Sequence, residues 1–213
     1  MRMKFYALKL CLIMIIVFFI QVFVNEFTEF FVLDSSRIGE FWRFLSAIFL
    51  HGSFIHLVYN LFALALFGLI LESLIGSKRF LIIFFVTGIL ANLISVNFYE
   101  FSLGASGAIF GVIGALIFVR PMLIVWAFGL PMPIFFAGAL WVAGDVLGAY
   151  GFLTGHPIDD TGNIAHLSGM IFGLLFGVLF KGKNSGMQEN NRKKKVVFDE
   201  RDLRRWEDRY IRI

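Results

Sequence analysis

The sequence predicts an all-α membrane protein built as a bundle of six transmembrane helices. Three observations carry that prediction. The 213-residue chain is 59% hydrophobic and only 16% charged, with a mean hydropathy of +0.82, a composition that does not dissolve as a globule in water. Six apolar runs approach or reach the length needed to cross a hydrocarbon core about 30 Å thick. Lysine and arginine collect in alternate connections, as they do when successive spans reverse direction.

The runs fall at 7–24, 54–72, 79–97, 105–119, 132–150 and 164–180. Arg2, Lys4 and Lys9 precede or open the first, but the stretch 10–24 ends in Asn25, Glu26 and Phe27 rather than in a small-residue cleavage site. It is therefore a retained anchor, not a signal peptide. Lys78 and Arg79 join spans 2 and 3, Arg120 joins spans 4 and 5, and a basic tail follows span 6. The opposite connections hold only Arg37 and Arg43 among Glu26, Glu29, Asp34, Glu40, Glu100, Asp159 and Asp160. This asymmetry predicts a multi-pass protein of the cell membrane with both termini cytoplasmic, odd spans running outward and even spans inward. The long connection 25–53 contains "EFWRFLSAIF", aromatic and amphipathic enough to lie in the headgroup region.

The expected organisation is a membrane domain over 1–182 and a basic cytoplasmic tail over 183–213. From Lys181 onward there are eleven Lys/Arg against six Asp/Glu, whereas residues 1–180 hold eight against nine. The basicity thus belongs to the tail and points to contact with anionic lipid, not to nucleic acid. Leu203, Trp206 and Tyr210 stand at helical spacing among charges, which suits either a short surface helix or a solvated end. Cys11 is alone, so there is no disulfide framework or thiolate metal site. There is no phosphate loop and no H-E-x2-H, and carboxylates are absent beside the histidines. Neither a metal nor another cofactor is expected.

Ionisable and amide groups inside a bilayer are costly, and each is a functional hypothesis. They are His56, Asn60, Asn92, Ser106, Asp145 and His166, with His51 just before span 2. Ser106 lies 14 residues before Arg120, His166 lies 15 before Lys181 and His56 lies 16 before Glu72, or about 21, 22 and 24 Å of helix. Three inward-running spans therefore present Ser, His and His at one depth. Ser106 falls in the first turn of a short span, where backbone N–H groups lack partners and the macrodipole favours negative charge. Gly104 allows a sharp approach to it. Gly107 and Gly111, with Gly169, Gly173 and Gly177 after His166, form ridges that let spans 4 and 6 pack closely. A histidine so placed can take the Ser106 proton as general base and return it to a leaving amine. His56 and Asn60, at i and i+4, share a face of span 2 and can donate hydrogen bonds to an oxyanion. Asp145 stands apart: it could serve as a third acid, a proton relay or a gating group, but no spacing ties it to His166, and an interhelical hydrogen bond is the default reading. His156 reads as a solvated loop residue.

At these positions the sequence resembles the rhomboid family of intramembrane serine proteases. The matching elements occur in family order: Trp42 with Arg43, the H-x4-H-x3-N array of His51, His56 and Asn60, Glu72 with Gly76, the G-x-S-G of Gly104 to Gly107, and the A-H-x2-G-x3-G of Ala165, His166, Gly169 and Gly173. The resemblance runs from about residue 41 to 180. It implies a six-helix rhomboid-like bundle with a Ser106/His166 dyad and no third acid, a hydrolase whose partners are single-span membrane proteins cleaved near the outer end of their transmembrane segment. It further implies an oxyanion site from His56, Asn60 and the Ser106 N–H, a structural or water-organising His51, a first external loop braced by Trp42 and Arg43, and substrate access controlled by spans 2 and 5 and the loop 151–163. Where many relatives carry Tyr one turn after the serine, this chain has Phe110, which keeps a ring to stack on the histidine but no hydroxyl. A rival reading is a proteolytically silent relative that binds membrane clients. Such relatives typically lack Ser or His at the dyad, and both are present here. A small transporter would spread polar groups through the bilayer depth, whereas here the strongest candidates cluster at one level, Asp145 and Asn92 excepted.

Overall fold

Apolar runs fold as helices because, away from water, a chain must satisfy its own backbone hydrogen bonds. All four prolines, at 121, 131, 133 and 157, fall in connections or at a helix start, so no long helix is broken. The computed structural model describes residues 3–158 and 161–192, with side chains as far as Phe180. The chain divides into two compact units, Met1–Lys181 and Gly182–Ile213. Of the second unit only a stretch of helical backbone is described. The expected tail helix at Leu203, Trp206 and Tyr210 and the acidic pair Asp159 and Asp160 lie outside the described residues.

The elements run in order α1 (Tyr6–Phe23), α2 (Phe27–Phe31), β1 (Leu33–Asp34), α3 (Arg43–Ser46), α4 (Phe54–Ala63), α5 (Leu69–Ile75), α6 (Ser77–Ser95), β2 (Phe101–Ser102), α7 (Ser106–Val119), β3 (Ile124–Ala127), β4 (Leu130–Pro133), α8 (Ile134–Leu153) and α9 (Asn163–Arg192). A π-helical turn, Leu64–Gly68, joins α4 to α5. Among the described residues, five helices are long and apolar enough to span a membrane: Tyr6–Phe23, Phe54–Ile75, Ser77–Ser95, Ile134–Leu153 and Asn163–Phe180. The sequence predicts six. The difference is α7, apolar throughout but only 14 residues long.

Two further departures from the all-α expectation are short ribbons. Leu33 pairs with Ser102 and Asp34 with Phe101. Residues 124–133 fold back as a hairpin across Phe128 and Gly129, both at positive φ, the geometry of a two-residue hairpin turn. The prolines at 131 and 133 are tolerated because β4 is the edge of a two-stranded ribbon.

The α7 helix is the central element. On one side α6 meets it so closely that a side chain at Gly107 would strike Ala91 and one at Gly111 would strike Thr87. On the other, Gly169 and Gly173 of α9 lie against the carbonyl oxygens of Gly107 and Gly111. In hydrocarbon there is no hydrophobic drive between helices, so close van der Waals packing and polar pairs do the work. The Asn92 amide of α6 donates to the Phe44 carbonyl of α3 (2.8 Å). Glu72, 1% exposed, accepts from the Tyr6 and Ala7 amides at the start of α1 and from the Ser77 hydroxyl (2.6 Å). Its carboxylate satisfies orphan donors where the helix dipole welcomes negative charge.

Candidate active site

Ser106 opens α7, and its placement is set by the segments before it. The β1–β2 pairing ties the stretch leading to the serine to the first long loop, and the Gly104 amide donates to the Ala47 carbonyl (2.9 Å). That loop is braced by Arg43, 1% exposed, whose guanidinium donates to Glu40 Oε2 (2.6 Å) and to the Glu29 and Val32 carbonyls (2.7 and 2.8 Å). Trp42 is half exposed and stacks on Phe30. Gly104 has φ +118°, and a Cβ there would come within 2.7 Å of the His56 ring. Only glycine accepts both conditions.

His56 lies in the first turn of α4, where the Ser53 hydroxyl accepts from its amide (3.1 Å) and caps the helix. Asn60 is buried and gives one amide hydrogen to the His56 carbonyl (2.9 Å), leaving its second to point elsewhere. His51 is buried with its ring edge-on to His56, 5.2 Å between centroids. Its Nδ1 meets the Phe49 carbonyl (3.2 Å) and its Nε2 has no partner among the described residues. Gln21 of α1 clamps the His51 backbone, accepting from its N–H (3.0 Å) and donating to its carbonyl (3.4 Å).

His166 stands in the first turn of α9, whose Ile164 amide donates to the Tyr99 hydroxyl (3.2 Å). The helices α8 and α9 run antiparallel in a legible register. Gly148 of α8 makes room for the Asn163 amide. Three residues back along α8 and three forward along α9, Asp145 meets His166: Nδ1 lies 3.0 Å from Asp145 Oδ1, and both residues are buried. A carboxylate only accepts, so Nδ1 carries the hydrogen and Nε2 is the free lone pair. The resemblance implies no acid behind the histidine, and here the structure departs from it. Phe110, one turn after Ser106, stacks on the imidazole at 4.3 Å between centroids and 7° between planes.

Ser106, His166, His56, Asn60 and Gly104 all line one cavity of about 1090 Å³. Its wall continues along α4 and the π-helical turn to Phe67, and across to Trp141 of α8. Those two rings meet edge-on at 5.9 Å, and Phe128 of the hairpin packs on Trp141 from another side (6.1 Å). The Ser106 hydroxyl makes no hydrogen bond among the described residues. Gly107, Gly169 and Gly173 form the α7–α9 seam below it. His156 is exposed in the loop after α8, its Nδ1 near the Thr154 carbonyl (3.0 Å). Sequence reasoning missed Gln21, whose signal is an amide in an apolar run, and Tyr99, which carries none. It also missed the partnership of Asp145 with His166, which the matched spacings 145–148 and 163–166 contain.

These features define a multi-pass membrane protein in which a serine at a helix start and a histidine on the neighbouring helix face a common cavity. The chain belongs to the rhomboid family: a family model described as Rhomboid domain matches residues 38–183. It is 46% identical over 82 residues to the rhomboid protease GluP of Bacillus subtilis, covering 38% of this chain and 16% of that protein. It is 33% identical over 145 residues to the rhomboid protease GlpG of Haemophilus influenzae, covering 66% and 70%. With the mitochondrial RHOMBOID-like protein 6 of Arabidopsis thaliana it shares 33% identity over 154 residues, 71% of this chain and 48% of that one. The chain spans less than half the length of the Bacillus and Arabidopsis relatives.

Proposed function

We propose that this chain is an intramembrane serine endopeptidase of the cell membrane, with six spans and both termini cytoplasmic, that cleaves single-span membrane proteins through an acyl-enzyme. Ser106 is the nucleophile and His166 the general base. The observation that carries this reading is one cavity lined by both side chains, with His166 Nδ1 already engaged and its Nε2 therefore free to accept a proton. The Ser106 N–H in the first turn of α7, with His56 and Asn60, supplies donors for the tetrahedral oxyanion. Names of relatives that include rhomboid protease support the same class. Count and orientation of the spans follow from α7 as a short sixth span and from the alternation of basic connections. The basic tail then lies on the cytoplasmic leaflet, where anionic lipid attracts it.

The test uses the full chain in lipid vesicles with a fluorophosphonate probe and a single-span substrate. Labelling and cleavage are expected in the wild type and absent in both Ser106→Ala and His166→Ala. A Ser106→Ala chain that cleaves at the wild-type rate ends the proposal. A wild type that binds the substrate yet neither labels nor cleaves points instead to a silent client-binding relative.

A further inference from the structure

We propose that Asp145 is a positioning residue for His166, the third member of the site, which fixes the imidazole tautomer and steadies the ring once it has taken the Ser106 proton. The inference rests on the protease reading above. A carboxylate in the middle of an apolar helix is costly, and Asp145 is 7% exposed. Its Oδ1 meets His166 Nδ1 at 3.0 Å, and its Oδ2 is buried without a partner. His166 is thus the single hydrogen-bonding contact of this side chain among the described residues. If the contact served only to stitch α8 to α9, an amide would do it as well, accepting from Nδ1 at a smaller desolvation cost. What the carboxylate adds is that it can only accept, whereas an amide can also turn its N–H to the ring and so does not fix the tautomer, and a charge that is useful when the ring becomes an imidazolium.

The arrangement leaves little freedom to the ring. Phe110 covers one face, Gly148 clears the space that lets the start of α9 approach α8, and Asp145 takes the Nδ1 edge. Nε2 is left as the basic edge. In the acylation step Ser106 Oγ bonds to the substrate carbonyl carbon, the carbonyl electron pair moves to its oxygen and the Oγ proton goes to Nε2. As the tetrahedral species collapses, the C–N bond breaks and the same proton leaves on the amine nitrogen. Throughout, the Nδ1 hydrogen stays on His166, so the carboxylate orients and stabilises without itself exchanging a proton.

The experiment compares wild type, Asp145→Asn, Asp145→Glu and Ser106→Ala as full chains in lipid vesicles. It reads kcat and KM on a single-span substrate, the melting temperature, and the tautomer of His166 by nitrogen-15 NMR of histidine-labelled protein. Asp145→Asn is expected to lower kcat by about 10²- to 10⁴-fold, the upper figure being that of water-soluble Ser-His-Asp enzymes, with KM within about twofold. His166 then loses its uniform Nδ1–H tautomer. Asp145→Glu keeps the charge on a longer arm and is expected to recover at least about tenfold of the loss. The proposal is overturned if Asp145→Asn keeps kcat within about threefold of wild type, or if Asn and Glu fall equally and in step with a lowered melting temperature. Cleavage that survives Ser106→Ala sinks the protease reading instead. In that case the NMR signal still decides whether Asp145 sets the His166 tautomer.

Discussion

Gly169 of α9 lies against the carbonyl oxygen of Gly107 in α7, with no room for a methyl group between the two helices. Gly169→Ala must push the backbones apart. The expected cost is about 1–3 kcal/mol, as for other overpacked cores, read as an earlier midpoint when the protein is unfolded in graded denaturing detergent. Gly144→Ala is the control, because a methyl there meets nothing within 4 Å. On propensity alone it gains up to about 1 kcal/mol. Equal midpoints for Gly169→Ala and wild type would show that the seam is looser than described.

Gly104→Ala combines a left-handed backbone with a methyl 2.7 Å from the His56 ring. The ring has to move, and with it one donor of the proposed oxyanion site. Displacements of about 1 Å near a reacting centre cost about 10²-fold in rate. A kcat loss of that order is expected while fluorophosphonate labelling, which needs the nucleophile more than the full donor set, declines less. Unchanged kcat would remove His56 from the site.

The Glu72 carboxylate receives hydrogen bonds from two α1 amides and a serine hydroxyl. Glu72→Gln turns one acceptor into a donor facing another donor. Leaving such a buried group unmatched costs about 1–3 kcal/mol, visible as a lower melting temperature with kcat unchanged, since α1 does not line the cavity.

Outside the spans, Asp34 is held below the usual carboxylate range first by the Ser36 hydroxyl (2.6 Å) and then by the Ser36 amide (2.8 Å), with Arg37 adding attraction. A folded value below the unfolded one of about 3.9 means that this stabilisation is present above that pH and lost as pH falls through the folded value. The β1–β2 ribbon is where the loss appears. Hydrogen-exchange protection at Leu33 and Ser102 is expected to drop on acidification in the wild type. In Asp34→Asn it should vary less with pH, and a steeper dependence in that variant would contradict the assignment.

Trp141 closes the lower wall of the cavity through Phe67 and Phe128. Such ring pairs are worth about 0.5–1.5 kcal/mol. If separating them is part of admitting a transmembrane segment, Trp141→Ala raises kcat/KM by about two- to tenfold, with a lower melting temperature as its counterpart. A fall in kcat/KM would place Trp141 among the groups that hold substrate rather than exclude it.

Most of the helical frame was legible in advance because apolar runs bounded by charges have few alternatives. The run 105–119 became Ser106–Val119, and 54–72 became Phe54–Ile75. The hairpin at 124–133 was hidden in a connection. Its strands are too short for a clear period-2 signal, and the Phe128–Gly129 turn lacks the usual asparagine or aspartate. Depth arithmetic grouped Ser106, His166 and His56 because helical rise is constant. It could not pair Asp145 with His166, since a helix reports height along its axis and says nothing of rotation about it. The clue was the glycine three residues from Asp145, and its meaning appears only once α8 and α9 are set side by side.

Trp141 and Asp145 are four residues apart on α8 and so lie on nearly the same side of its cylinder. One blocks the lower wall of the cavity and the other grips the imidazole. A rigid helix cannot turn the first away without turning the second through the same angle. On the protease reading proposed above, the wall that admits a peptide and the carboxylate that steadies the base are therefore cut from one shaft, so that a wider opening comes with a less well aligned imidazole.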